Sequence, residues 1–231
     1  MAKRIIIGGQ KGGAGKSTIT CFIANFISNN TDLSVLVIDA DDTQESIYNR
    51  RKKEINALKT SGEEIEGYYD IIPSLSKDIE GRLKQYENSY DIIFIDLPGN
   101  LKQEGVLPAY ALVDYLFLTF NLNDIELDSF KIFMQLYEQV NMSEERINKG
   151  RKNEIHGFVS RIGINTARKR DFFNNREEFS KAINVPIMKN FIPYSEVTFG
   201  HRYSTIEDFN FDGDPKRYFN FYQEFMEILK K

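Results

Sequence analysis

The sequence contains very little cysteine and histidine, and it has no tryptophan. Cys21 is the one cysteine, and the two histidines, His156 and His201, stand far apart in a chain of 231 residues. A single cysteine cannot close an internal disulfide, and two separated histidines do not make a Cys/His zinc site. The composition therefore excludes a small scaffold held by disulfides or zinc, and it fits a reducing compartment such as the cytoplasm.

Long apolar runs are also missing. Only three isoleucines, at 5–7, precede Gly8, which is far short of the apolar core of a signal peptide. No apolar stretch approaches the roughly 18 residues that would indicate a membrane-spanning helix. The sequence predicts a soluble protein that stays inside the cell.

Positive charge is not in excess. The chain has 30 Lys+Arg against 34 Asp+Glu, which gives a net charge of −4. Because no overall positive field attracts nucleic acid or anionic lipid, any contact with DNA must use a local patch. Hydrophobic residues at 41% and charged residues at 28% are typical of a globular protein, and we expect a single domain over residues 1–231.

Short apolar runs alternate with helical patterns along the chain, which is typical of βαβ units around a parallel sheet. We predict an α/β fold with a doubly wound, mostly parallel sheet and helices on both faces. The runs 35–38 and 92–95 are continuously apolar, as in central strands, and we expect both to neighbour the first strand. The predicted strands are Lys3–Gly8, Ser34–Asp39, Tyr68–Ile72, Tyr90–Asp96, Asp114–Phe120, Glu154–Ile162 and Pro186–Ile192, and the predicted helices are Lys16–Asn29, Gln44–Leu58, Leu75–Glu87, Asp124–Val140, Ala167–Ile183 and Lys216–Leu229.

Glycine is concentrated between the first strand and the first helix, in the segment Gly8–Thr18. Glycines at such a place let backbone N–H groups approach phosphate oxygens, and the helix N-terminus adds positive potential. Lys16 can bridge the outer phosphates, and the Ser17 hydroxyl can ligate Mg²⁺ directly. Gln10 takes the position of the first glycine in the standard G-x-x-x-x-G-K-[ST] pattern, so the segment reads K-G-G-x-G-K-[ST] from Lys11. It predicts a nucleoside triphosphate as ligand.

This segment resembles the deviant P-loop of the ParA/MinD group of ATPases. The resemblance implies ATP with Mg²⁺ as cofactors and a P-loop NTPase fold. It also implies an ATP-dependent homodimer, in which Lys11 of each subunit reaches the phosphates of the other and acts in catalysis with Lys16. The implied nucleotide-binding residues are Lys11, Gly12, Gly13, Ala14, Gly15, Lys16, Ser17 and Thr18.

Two acidic strand ends extend the resemblance. Carboxylates at the carboxyl end of a central parallel strand face the crevice where such sheets bind ligands. The family implies that Asp41 is catalytic and positions the attacking water, and that Asp39 lies near the Mg²⁺ shell. Asp96 follows the apolar run 92–95 and resembles a Walker B aspartate, which would hold Mg²⁺ through water. The sequence departs from the family at Asp42-Thr43, where a single proline is usual.

Arg161 and Pro193 stand where the family contacts the adenine. Pro193 cannot donate a hydrogen bond to a neighbouring strand, so it ends the pairing and begins a loop. Arg161 ends a predicted strand, and a guanidinium can stack on a base. The alternative for Arg161 is an ordinary surface ion pair.

The resemblance covers the chain from Lys3 to about Phe209 and is strongest to short partition ATPases of plasmids, because the first strand leaves no room for an N-terminal helix-turn-helix domain. Such proteins are cytoplasmic, associate with the nucleoid and bind nonspecific double-stranded DNA as ATP dimers. A ParB-like centromere-binding partner stimulates their weak ATPase activity, and they do not contact membranes. The predicted DNA contacts are Arg168, Lys169, Arg170 and Arg202; basic clusters at 50–53 and 149–152 are alternatives, and for each cluster a merely solvated surface stays open.

Two other functions remain open. A MinD-like positioning ATPase would act at a membrane or on a protein cargo. In the helix predicted at the C-terminus, Glu224 and Glu227 would oppose an anionic bilayer, and we expect this helix to pack on the domain. A ligase resembling dethiobiotin synthetase would need a small carboxylated substrate, and Lys11 argues against it.

Overall fold

The computed structural model describes residues 1–9, 15–41, 47–62, 68–122, 130–135, 137, 153–162, 167–194, 204–206 and 216–230. A seven-stranded sheet lies at the centre, in the order β3-β2-β4-β1-β5-β6-β7, and every pair of neighbouring strands is parallel. The strands are β1 (Lys3–Gly8), β2 (Val35–Asp39), β3 (Asp70–Pro73), β4 (Ile92–Asp96), β5 (Tyr115–Phe120), β6 (Glu154–Ile162) and β7 (Ile192–Pro193). The helices are α1 (Lys16–Asn30), α2 (Ile47–Ser61), α3 (Ile79–Tyr86), α4 (Val106–Tyr110), α5 (Ala167–Asn174), α6 (Arg176–Ile183) and α7 (Lys216–Leu229), with a 3-10 turn at Ser76–Asp78.

Helices cover both faces of the sheet, so the predicted fold class is confirmed. Ile5 and Ile7 of β1 pack with α1 and α7 on one face, whereas Ile6 packs with α3 and α4 on the other. Both faces of the central strands are therefore buried. This burial is the physical reason for the continuous apolar runs.

One prediction about the strand order is wrong. β4 is a neighbour of β1, but β2 is not, because β4 lies between them. A continuous apolar run shows that a strand is covered on both faces, and this condition holds at every inner position of the sheet. It therefore does not decide which strands are adjacent.

Several predicted elements differ in detail. The helix predicted at 167–183 breaks at Asn175 into α5 and α6, and this break lets Phe172 and Phe179 both pack against Phe120. The strand predicted at 186–192 forms only one bridge, from Ile187 to Gly157, before the short β7. The sequence did not predict α4, a helix of five residues that contains a proline.

The strand order also sets where a ligand can bind. The connection from β1 to β2 runs toward one edge of the sheet, whereas the connection from β4 to β5 crosses β1 toward the other edge. A crevice forms at such a point, beyond the carboxyl ends of the strands. Asp39 and Asp96 end β2 and β4 at paired register positions beside this crevice.

Candidate functional site

The first helix begins at the carboxyl end of β1 with a glycine in the left-handed conformation. Gly15 has φ 79° and is the N-cap of α1, and its carbonyl accepts a 2.8 Å hydrogen bond from the N–H of Ile19. Residues with a Cβ adopt this backbone conformation at an energetic cost, so it favours glycine here. Of the predicted P-loop, residues 15–18 are described and 11–14 lie outside the described residues.

Lys16 places a buried positive charge at this helix terminus. The residue is 7% exposed, and burial lowers the pKa of its ammonium group, while the charges of Asp96 and Asp41 act in the opposite direction. The first turn of α1 has no acidic residue. Because a helix N-terminus is itself positive, this arrangement is unfavourable unless an anion binds to it.

Asp96 presents one oxygen to Ser17 and leaves the other open. The Ser17 hydroxyl donates a 2.6 Å hydrogen bond to Oδ2 of Asp96. Oδ1 is buried and accepts no hydrogen bond from the part of the chain that the structure describes. Burial raises the pKa of Asp96 to about 7, and the charge of Asp39 adds to the rise, whereas the Ser17 hydrogen bond and Lys16 lower it.

These groups fit a magnesium ion bound together with a nucleotide. The Ser17 hydroxyl directs its proton to Asp96, so its lone pairs can bind a cation, and none of the described residues donates to Oδ1 of Asp96. Within the described residues there is no group of three or more His, Cys, Asp or Glu that could hold a metal by itself. Magnesium commonly binds through one or two carboxylates, phosphate oxygens and water, and such a site matches that mode.

Asp39 connects the site to the second helix. The sequence predicted this helix but not its contact with Asp39. It is buried, and its Oδ2 accepts a 2.8 Å hydrogen bond from the N–H of Tyr48 in the first turn of α2. Its Oδ1 accepts a 3.3 Å bond from the N–H of Asp41, which is half-buried. A carboxylate at a helix N-terminus stabilises that terminus. Asp39 therefore fixes the start of α2 while its charge acts on Asp96.

Arg161 lies in a β-bulge. Ser160 pairs with Ile192 and Ile162 pairs with Pro193, which leaves Arg161 as the extra residue, with φ 59°. A left-handed residue other than glycine costs about 1–3 kcal/mol, and such residues are enriched at functional sites, where a bulge can redirect a side chain. The structure thus brings Arg161 and Pro193 together at the ends of neighbouring strands.

The basic residues predicted to contact DNA are only partly available. Arg168 and Arg170 are exposed in the first turn of α5, but Lys169 is half-buried, with its Nζ 4.5 Å from the centre of the Phe191 ring. Arg202 and the cluster 149–152 lie outside the described residues. In the cluster 50–53, Arg51 is buried, so the four cations of that cluster do not form one exposed patch.

Comparison with known proteins also indicates a nucleotide-binding domain. Residues 5–199 match the profile of the CobQ/CobB/MinD/ParA nucleotide binding domain. No curated protein sequence matches the chain. Among solved structures, pNOB8 ParA bound to nonspecific DNA superposes with a TM-score of 0.68 at 19% identity, covering 100% of this chain and 99% of that one. The MinD cell division protein of Aquifex aeolicus gives 0.67 at 18% identity, with 100% and 98% covered.

A third solved structure contains a nucleotide analogue. It is a plasmid partition protein from Borrelia burgdorferi bound to AMPPNP, with a TM-score of 0.61 at 19% identity and 98% of both chains covered. At 18–19% identity, these similarities show that the fold is shared and nothing more.

Proposed function

Because this chain belongs to the family of CobQ/CobB/MinD/ParA nucleotide-binding domains, we propose that it is an ATP-dependent switch ATPase. In the ATP state it dimerises and binds nonspecific DNA, and so it segregates or positions plasmid or chromosomal DNA. The observation that carries the proposal is the arrangement of Lys16, Ser17 and Asp96 at the N-terminus of α1. A buried cation, an oriented hydroxyl and an open carboxylate oxygen are complementary to a nucleotide phosphate with its Mg²⁺.

Each residue then has a distinct task. Lys16 and the first N–H groups of α1 hold the outer phosphates, and Lys11 of each subunit crosses to the phosphates of the other. Asp41 orients the attacking water. Mg²⁺, held by Ser17 directly and by Asp39 and Asp96 through water, would neutralise phosphate charge when it is bound. Hydrolysis releases the γ-phosphate, which the Lys11 of the other subunit contacts, so the dimer opens.

The adenine lies between β6 and β7 in this proposal. Arg161 stacks on the base, and Pro193 starts the loop beside it. The bulge supports this assignment, because Arg161 keeps a strained backbone conformation at the carboxyl edge of the sheet, where its guanidinium could reach a base.

Charge on two consecutive helices supports a DNA surface on α5. Helix α6 has Glu177 and Glu178 in its first turn, as the helix dipole favours. The first turn of α5 instead has Arg168, Lys169 and Arg170, and no acidic residue. Each cation there is unfavourably placed with respect to the helix dipole. An anionic partner such as the DNA backbone would offset this unfavourable charge. Arg202 is assigned to the same surface.

The C-terminal helix favours DNA over a membrane as the partner. The aromatic residues Phe221 and Phe225 of α7 are fully buried against the sheet. Glu224 accepts hydrogen bonds from the N–H groups of Lys189 and Asn190, at 2.7 and 2.8 Å. In the described part of the chain, no helix is long and apolar enough to cross a bilayer. We propose a cytoplasmic location on the nucleoid and a ParB-like stimulating partner. The alternative is a MinD-like positioning role at a membrane or on a protein cargo, and the packing of α7 makes the membrane role the weaker of the two.

Sedimentation and DNA titration test the proposal together. Wild type and Asp41→Ala are compared with ATP, with ADP and without nucleotide, at low and high salt. We expect only ATP to produce a dimer that retains DNA, and we expect Asp41→Ala to hold that state because hydrolysis is slowed by about 10²–10⁴. A dimer that ignores DNA at low salt would contradict the DNA role and favour a protein cargo. A protein that stays monomeric with ATP would contradict the switch itself.

A further inference from the structure

Ala40 joins two carboxylates of the candidate site, Asp39 and Asp41, and two peptide units therefore lie between them. The sheet holds the first unit. The Asp39 carbonyl accepts a hydrogen bond from the N–H of Ser74 at 2.8 Å, just beyond the end of β3. The N–H of Ala40 donates to the carbonyl of Asp96 at 2.9 Å, at the end of β4. The first peptide unit thus continues the ladder on both sides of β2.

The second peptide unit, between Ala40 and Asp41, is held by two side chains. The hydroxyl of Ser76 donates to the carbonyl of Ala40 at 3.2 Å, and the N–H of Asp41 donates to Oδ1 of Asp39 at 3.3 Å. Ala40 is fully buried and Ser76 is 4% exposed, so bulk water cannot replace the hydroxyl. The orientation of this peptide unit sets the direction in which the Asp41 side chain leaves the backbone.

Ser76 is presented to Ala40 by a closely packed turn. It begins the 3-10 turn Ser76–Asp78, and α3 follows directly at Ile79, which is buried. On its other side the turn lies against the start of α4, where a Cβ added to Gly105 would be 2.4 Å from the backbone nitrogen of Lys77. A hydroxyl on such a turn can hold its acceptor in one position, because its own support leaves little room for movement.

Asp41 lies where its direction affects chemistry. It is half-buried, and its charge acts on the buried ammonium group of Lys16 at the N-terminus of α1. A carboxylate that orients a water molecule must be placed accurately, since an error of about 1 Å in a reacting group can cost about 10²-fold in rate. The bond from Ser76 is therefore a means of controlling Asp41 from a different part of the chain.

We propose that Ser76 is a positioning residue for ATP hydrolysis, whose hydroxyl fixes the peptide unit before Asp41 and so directs that carboxylate to the attacking water. Ser76 itself touches neither the nucleotide nor the water. The catalytic consequence rests on the proposed function, in which Asp41 orients the water. The control of the peptide unit by Ser76 does not, and it can be measured without nucleotide.

Amide hydrogen exchange, followed by NMR on the nucleotide-free chain, tests the control of the peptide unit. Ser76→Ala removes the hydroxyl with little change of volume, and we expect the amide of Asp41 to exchange about 2–10-fold faster than in wild type. Ser180→Ala is the matched control, because the Ser180 hydroxyl likewise donates to a backbone carbonyl, that of Val185, at 2.7 Å. It should leave the exchange of Asp41 unchanged. Equal exchange of the Asp41 amide in Ser76→Ala and wild type would overturn the proposal.

Single-turnover hydrolysis of ATP with Mg²⁺ tests the catalytic consequence in a double-mutant cycle. We expect Ser76→Ala to slow hydrolysis by about 10–100-fold and to bind the analogue AMPPNP within about twofold of wild type. Because Ser76 acts through Asp41, Ser76→Ala should cause no further slowing in a chain that already carries Asp41→Ala. A merely structural role would slow both chains by the same factor, and this result would overturn the proposal.

The same cycle separates a failure of this proposal from a failure of the proposed function. A wild-type rate in Asp41→Ala would contradict the role of Asp41 in the proposed function, and the positioning role of Ser76 in hydrolysis would fall with it. A slow Asp41→Ala beside a wild-type rate in Ser76→Ala would overturn the positioning role alone.

Discussion

The Ser17 hydroxyl donates a 2.6 Å hydrogen bond to Oδ2 of Asp96, which joins the first turn of α1 to the end of β4. This bond links the two motifs of the candidate nucleotide site across the crevice at the carboxyl edge of the sheet. It also leaves a second, buried oxygen of Asp96 without a donor among the described residues. Because its burial disfavours the charged form, this carboxyl group takes up a proton more readily than one in water.

We expect the nucleotide-free protein to lose stability as pH rises through the range set by Asp96. The pKa of this carboxyl is about 7 in the folded chain, against an ordinary value of 3.8. Between these values the folded protein holds a proton that the unfolded chain has released, so the free energy of unfolding falls as pH increases. Thermal unfolding in EDTA, from about pH 5 to about pH 8, measures the slope. Asp96→Asn cannot titrate and should flatten it; equal slopes would contradict the assignment.

Gly105→Ala should destabilise the protein. Gly105 has φ 85°, and a Cβ there would lie 2.4 Å from the backbone nitrogen of Lys77. The left-handed backbone costs about 1–2 kcal/mol for alanine, and overpacking adds about 1–3 kcal/mol. Gly81→Ala is the control, because Gly81 lies in α3 with nothing within 4 Å of a Cβ. It should raise the free energy of unfolding by about 0.5–1 kcal/mol in a denaturant titration; equal effects would refute this difference.

Removing two cations from α5 should weaken DNA binding without weakening the fold. For the double variant Arg168→Ala/Arg170→Ala we expect the slope of log affinity against log salt to fall in magnitude by about 2, since two phosphate contacts are lost. The free energy of unfolding should stay constant or rise, because both cations oppose the helix dipole. Lys181→Ala serves as the control, since Lys181 is an exposed cation in the last turn of α6. A salt slope changed equally by both variants would exclude α5 as the specific surface.

Arg161→Gly should reduce the affinity for ATP while keeping the bulge. Glycine adopts φ 59° without strain, so the change removes the side chain and keeps the backbone conformation of the bulge. Loss of stacking on the base corresponds to about 3–30-fold in affinity, and the preference for ATP over GTP should shrink. Asn184→Gly makes the same backbone change at φ 52°, in the C-cap of α6. Titration with fluorescent nucleotides should separate the two variants, and unchanged selectivity in Arg161→Gly would remove it from the base site.

Local patterns in the sequence predicted the parts of the site that depend on neighbouring residues. The glycine-rich turn led to the N-terminus of α1, and the apolar runs led to Asp39 and Asp96, because carboxyl ends of parallel strands meet at one edge. The bounds of β1 and β6 agree with the prediction. Each of these inferences uses residues that are close in the sequence.

Contacts between residues that are distant in the chain could not be predicted from local sequence patterns. In the sequence Arg51 is one of several cations of a polar helix, yet in the fold it is buried and donates a hydrogen bond to Thr205, 154 positions away. Lys169 likewise packs over the distant ring of Phe191. The placement of β4 between β1 and β2 depends on how the connections cross the sheet, and no local pattern in the sequence predicts it.

The position of β1 also has a consequence for synthesis on the ribosome. β1 has β4 and β5 as its neighbours, so the strand that leads into the nucleotide site finds no partner until residues 92–120 have been made. During that interval the isoleucines of β1 are part of an incomplete core, a state that favours aggregation and recognition by chaperones. Although β1 is made before β4 and β5, it can join the sheet only when they have been made, and we expect a truncated product that ends before β4 not to bind ATP.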